Sequence, residues 1–251
     1  MQNYIYTGFV CMLIMMVSGC ITETSGGMPG PASDEERVAA QLDLARGYLE
    51  QGDFVRAKKP LERALKINPR SVETHAFTAL VLQAENEPEL AERHYRTALG
   101  IQPNHAQTLN NFASFLYAQE RFADALVPLQ RLVKDTNYRG RPQAFESLGL
   151  AHLKNGDAAS ARDAFSRALE LNFRLARSAL ELGQLAYDAG DLPEANRRFE
   201  QFTRMARPTA RSLCLGLKLA EANNDQDKIA SYDLSLKNLF PEQRDQCRST
   251  I

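Results

Sequence analysis

What the sequence withholds narrows its chemistry before any motif is read. Neither sign of charge is in excess: 30 Lys and Arg stand against 31 Asp and Glu over 251 residues, a formal net charge of -1. Phosphate-backbone affinity comes from clustered cations that displace counterions, and no basic patch is visible along the chain, which argues against nucleic acid as a partner. There is no Trp, no HExxH, no closely spaced cysteine pair, no serine-nucleophile motif and no glycine-rich phosphate loop. The four histidines, His75, His94, His105 and His152, stand at unrelated local positions. The expectation is therefore a non-enzymatic protein with no metal, no cofactor and no small-molecule substrate. Long apolar runs are missing too. Tyr4 to Val17 is fourteen mostly apolar residues, too short to cross about 30 Å of hydrocarbon comfortably as a helix.

What is present begins with a break in composition. Residues 1–33 contain no Lys or Arg and only Glu23 as an acid. The apolar stretch reads as a signal-peptide core, and Val17-Ser18-Gly19-Cys20 directly after it resembles the lipobox of bacterial lipoproteins. That resemblance implies cleavage after Gly19, loss of Cys11 and acylation of Cys20, with acyl chains contributing roughly 0.8 kcal/mol per buried CH₂. The missing positive n-region departs from the pattern; a buried N-terminal segment or an uncleaved anchor are the competing readings. Ile21 and Thr22 stand where an inner-membrane retention Asp is found in many enteric lipoproteins, which implies the outer membrane. Residues 20–33, rich in Gly, Pro, Ser and Thr, read as a tether.

From residue 34 onward the chain repeats itself. Gly156 and Gly190, Ala64 and Ala98, Pro69 and Pro103, and Ala161 and Ala195 are each 34 apart, and Ala57, Ala91 and Ala125 extend the series. The pattern resembles the tetratricopeptide repeat, in which small residues let two antiparallel helices pack closely. It implies an all-α, right-handed superhelical solenoid of about six helix pairs, with repeats near 38–71, 72–105, 106–139, 142–175 and 176–209 and a degenerate cap at 210–247. Two extra residues around KDTNYRGRP precede the fourth repeat. Asn86 and Glu120 hold turn positions where glycine is usual. Pro60 and Pro128 are expected to bend or restart their helices, and Gly149 and Gly183 to tolerate bulk equally poorly.

The first helices of such repeats line the inner face, and their second, fifth, ninth and twelfth positions are free of internal packing. They give Leu42, Arg46 and Leu49 in the first repeat and Leu80 and Gln83 in the second. Asn110, Ser114 and Tyr117 follow, then Glu146, Leu150 and Leu153, then Arg177, Leu180, Gln184 and Tyr187. With Asn111 beside Asn110, the mixed but apolar face suits a helix or extended segment of a protein partner; the competing reading buries half of these leucines between helices. Cys214 and Cys247 flank the last unit. A disulfide across it and two free thiols both remain open, since Cys214 also fits an apolar helix stripe.

The lipobox, the repeats, Asn110-Asn111 followed by an aromatic, the YRGRPQAFESLG join and the late cysteine pair together resemble the PilF/PilW family of type IV pilus biogenesis lipoproteins. The resemblance covers essentially residues 38–247. It implies a lipid-anchored protein on the periplasmic face of the outer membrane, touching the bilayer through Cys20 and assisting localisation and multimerisation of the pilus secretin subunit. A general periplasmic scaffold recruiting cell-wall enzymes or outer-membrane assembly factors would carry the same anchor and repeats.

Overall fold

The structure, a computed structural model, describes residues 32–248. Cys11, Cys20 and the leader and most of the tether read from the sequence lie outside that range. Six antiparallel helix pairs follow one another: α1 (Asp34–Glu50) with α2 (Phe54–Ile67), α3 (Val72–Ala84) with α4 (Pro88–Ile101), and α5 (Ala106–Ala118) with α6 (Phe122–Leu132). Then come α7 (Arg141–Lys154) with α8 (Ala158–Leu171), α9 (Ala176–Asp188) with α10 (Leu192–Thr203), and α11 (Ala210–Ala222) with α12 (Gln226–Leu239). A short α13 (Pro241–Arg248) closes the array. This is the all-α tetratricopeptide solenoid the repeat spacing predicts. None of the described helices is long and apolar enough to cross a membrane.

Each turn inside a pair is built from two adjacent residues. The first takes a positive φ: Gly52, Asn86, Glu120, Gly156, Gly190 and Asn224 do so, at intervals of 34 except for the 36 between Glu120 and Gly156. The second begins the next helix, and in four turns it is an aspartate, Asp53, Asp157, Asp191 or Asp225, whose side chain accepts a backbone N–H three residues on. Such a cap contributes about 1 kcal/mol. The Gly-Asp pairs are thus helix starts. Asn224 shows that the sixth unit keeps the turn even though its small-residue marks have drifted.

Ala57, Ala91, Ala125, Ala161 and Ala195 are all fully buried, as the period predicts. The core is a chain of clusters running along the array, the largest of which joins Phe165, Leu182, Phe199, Phe202 and Leu215 across the last three pairs. Pro60 and Pro128 are buried inside α2 and α6, and neither helix restarts at its proline. Each removes the N–H that would bond the carbonyl four residues back, Arg56 or Asp124, while the buried ring packs against the core. Gly149 and Gly183 are not alike, contrary to expectation. A Cβ on Gly149 would lie 2.7 Å from the Phe165 ring, whereas one on Gly183 would meet only ordinary contacts from 3.4 Å outward. The equivalent aromatic of the fifth repeat, Phe199, instead crowds Gly216 at 2.7 Å.

Cys214 and Cys247 are bonded, with Cα atoms 5.3 Å apart, which settles the open choice. Cys247 is buried with Leu213, Leu217 and Leu236, and Arg244 grips both carboxylate oxygens of Asp233 at 3.0 and 2.8 Å. Closing a loop of 33 residues restricts the unfolded chain by about 3–4 kcal/mol, enough to hold α13 on a unit whose packing marks have decayed.

Candidate functional site

The inserted residues between the third and fourth repeats are ordered by their own contacts. Tyr138 packs beside Gly140, Arg141 Nε donates to the Val133 carbonyl at 2.7 Å, and the Arg141 guanidinium lies 5.5 Å from the centre of the Phe145 ring. Burial pushes the Tyr138 phenol up, so it stays neutral in that join.

At this join the face lined by the first helices opens into a cleft of about 200 Å³. Ser114 and Tyr117 of α5, Ser147 and Leu150 of α7 and Arg177 of α9 line it, with Ala113 and Leu129 at its floor. Tyr117 is held edge-on against Phe122, with ring centres 5.0 Å apart. Ser114 Oγ donates to the Asn110 carbonyl at 3.0 Å. Among the described residues no side-chain hydrogen bond or ion pair links α5 to α7.

The next two joins are built differently. Glu146 of α7 accepts from the backbone N–H and the hydroxyl of Ser178 at the start of α9, at 3.0 and 2.7 Å. Glu181 of α9 is almost wholly buried and takes both arms of the Arg211 guanidinium. One interval earlier, the counterparts of Glu146 and Ser178 are Asn110 and Ala144, between α5 and α7, and those of Glu181 and Arg211 are Ser147 and Arg177, between α7 and α9. The cleft therefore lies where α5 and α7 share no brace and where α7 and α9, held by Glu146 and Ser178, lack the carboxylate–guanidinium clamp. Arg177 keeps the cation but has no carboxylate partner among the described residues.

Of the residues expected on the inner face, Ser114, Tyr117, Leu150 and Arg177 meet in the cleft. Leu80, Leu153, Gln184 and Tyr187 lie outside it: Leu80 packs beside Tyr95 and Phe112, Leu153 and Tyr187 pack against the large core cluster, and Gln184 bonds Asp188 at 2.7 Å. Asn111 accepts from Gln107 at 2.9 Å, one turn back on its own helix. Leu42 and Leu180 are buried core residues. Glu146 is spent on Ser178. Ser147 was not in the expected stripe; its signal was its place 34 residues before Glu181, at the same position of the repeat.

The tetratricopeptide repeat family matches residues 42–106, 110–179 and 180–237. Over 235 residues the chain is 38% identical to the type IV pilus assembly protein PilF of Pseudomonas aeruginosa, covering 92% of either sequence. The chain belongs to the PilF/PilW family. The solved structure of Pseudomonas aeruginosa PilF matches with a TM-score of 0.79 at 37% identity, over 87% of this chain and 99% of that one. The structure of PilW, a widely conserved type IV pilus biogenesis factor, matches with 0.68 at 26% identity, over 82% and 94%.

In this PilF/PilW chain the cleft offers an aromatic edge, a leucine, two hydroxyls and a cation, a set suited to holding a peptide segment rather than to bond-making. Among the described residues no group of three or more His, Cys, Asp or Glu converges as for a metal ion. The fold does bring together His75 and His94, with Nδ1 atoms 3.0 Å apart, a contact their spacing does not reveal. Burial first, and His75 second, push the His94 pKa down. The pair sits on α3 and α4, away from the cleft.

Proposed function

We propose that this protein is an outer-membrane lipoprotein that captures a segment of the type IV pilus secretin subunit and assists its localisation and multimerisation, by binding alone. Residues 1–19 are its signal peptide, residues 20–33 its acylated tether on the periplasmic face, and residues 34–251 the array that reaches the partner. Membership of a pilus biogenesis family supports the process. The single observation that carries the site is the cleft itself, where Arg177 retains a charge that its counterpart Arg211 spends on Glu181.

The occupant that fits is a segment with an apolar side chain for Tyr117 and Leu150 and a carboxylate nearby for Arg177, a charge-assisted contact in a partly desolvated setting. Tyr117→Glu with Leu150→Glu should cut pull-down of the secretin at least tenfold with helical circular dichroism unchanged. Undiminished pull-down would place the interface elsewhere. Deleting the gene should reduce heat-resistant secretin multimers in membrane fractions, and Cys20→Ala should release the protein from the membrane; normal multimers and normal twitching in the deletion strain would sink the assignment.

A further inference from the structure

The second helices of the pairs are electrically neutral with one exception. In α4, α6, α8, α10 and α12 the Lys and Arg equal the Asp and Glu. Helix α2 carries Arg56, Lys58, Lys59, Arg63 and Lys66 against Glu62 alone, a net charge of +4. The sequence hides this, because the cations alternate with Ala57, Pro60, Leu61 and Ala64, which are buried. Packing therefore asks for none of the charge.

Two of the five are engaged, Arg56 with Asp53 and Lys58 with Glu85. Lys59, Arg63 and Lys66 are exposed and have no carboxylate partner among the described residues. Their spacing of four and three places them on one side of the helix. Arg63 and Lys66 line a depression of about 430 Å³ together with Arg37 and with Ala32, where the described chain begins. Of the acids nearby, Asp34 pairs with Arg37 at 2.7 Å, Glu36 lines the depression and accepts from the Ser33 backbone N–H at 2.7 Å, and Glu35 and Glu62 are exposed.

We propose that this face of the first repeat is a membrane contact, in which Lys59, Arg63 and Lys66 bind the phosphates of anionic phospholipid headgroups. The proposal rests on the anchor at Cys20. Cys20 stands 12 positions before Ala32, and a Gly/Ser-rich linker of that length reaches roughly 20 Å, so an acylated Cys20 keeps the first repeat beside the lipid surface. Cations close to an anionic surface supply the second signal that makes an acyl anchor firm. Such a contact would orient the array, leaving the first-helix face and its cleft turned toward a partner.

The test uses the mature acylated protein in vesicles of phosphatidylcholine, with and without phosphatidylglycerol, and reads lysine acetylation by mass spectrometry. Lys59 and Lys66 should react roughly threefold or more slowly on phosphatidylglycerol vesicles, with protection lost in about 0.5 M salt. Lys218 and Lys237 should react alike on both. Arg63→Glu should restore Lys59 and Lys66 toward the phosphatidylcholine rate. Equal rates on both lipids, protection that salt does not relieve, or protection appearing only when the secretin is added would each overturn the proposal. The mass of the N-terminal peptide separates the readings: missing acyl chains sink the anchor and this contact together, whereas acylated protein with unprotected lysines sinks only the contact.

Discussion

Two joins in this solenoid use the same positions to opposite ends. Between the fifth repeat and the final unit, buried Glu181 clamps Arg211 and shuts the inner face. Across the fourth-to-fifth join the same positions hold Ser147 and Arg177, and the cleft opens beside them. That join keeps only the neighbouring contact of Glu146 with Ser178, and the third-to-fourth join, with Asn110 and Ala144 at those places, has neither brace. In an array whose units touch only their neighbours, stability is close to a sum of local interfaces. A join can therefore give up its brace without unfolding the rest, and the surrendered brace becomes a binding surface.

The comparison breaks most visibly at the closed end. Arg211→Ala strands a buried carboxylate and should cost about 3 kcal/mol in chemical denaturation; a loss below about 1 kcal/mol would mean that Glu181 is well solvated and the clamp unimportant. Glu146→Ala leaves the Ser178 N–H and hydroxyl without their acceptor and should cost about 2 kcal/mol. Asn110→Ala, at the equivalent place in the unbraced third-to-fourth join, should cost about 0.5 kcal/mol, and similar losses for the two would erase the distinction.

Sharpening it calls for building the missing brace. Ser147→Glu puts a carboxylate opposite Arg177 as Glu181 stands opposite Arg211, and should stabilise by about 1 kcal/mol while abolishing secretin pull-down. Retained pull-down would show that Arg177 is not the partner's contact. The last pair of substitutions concerns the two glycines beside these joins. Gly183→Ala should be neutral or stabilising by about 0.5 kcal/mol, because a helical glycine gives way to a better helix former with room for it. Gly149→Ala should destabilise by about 1 kcal/mol, because its Cβ meets the Phe165 ring. Equal melting shifts for the pair would contradict the difference in packing.

Much of the fold was legible because its signals act over a few residues. A residue at positive φ followed by an aspartate cap turns the chain within five residues, and Gly52, Gly156 and Gly190 announce it by their identity. Glu120 occupies the same backbone region with a side chain that disfavours it, and the period alone locates that turn. The buried alanines were equally plain, since a small residue recurring every 34 positions has few other uses. The site was only half legible. Ser114, Tyr117, Leu150 and Arg177 follow from the geometry of a repeat, but Leu80, Leu153, Gln184 and Tyr187 satisfy the same rule and take no part in the cleft. Their positions were right and their neighbours were different.

The sequence by itself determined the repeat length, the helix pairs, the turns and the residues that let helices approach, because each depends on local stereochemistry or on a hydrophobic stripe. Tertiary structure alone decided that Cys214 meets Cys247, that Phe165 faces Gly149 while Phe199 crowds Gly216, and that Arg177 stands without the carboxylate Arg211 enjoys. It also decided that Arg63 and Lys66 of α2 share a depression with Arg37 and Ala32. These pairings join residues roughly 16 to 34 positions apart, and which atoms meet over that distance is fixed by how one repeat seats on the next.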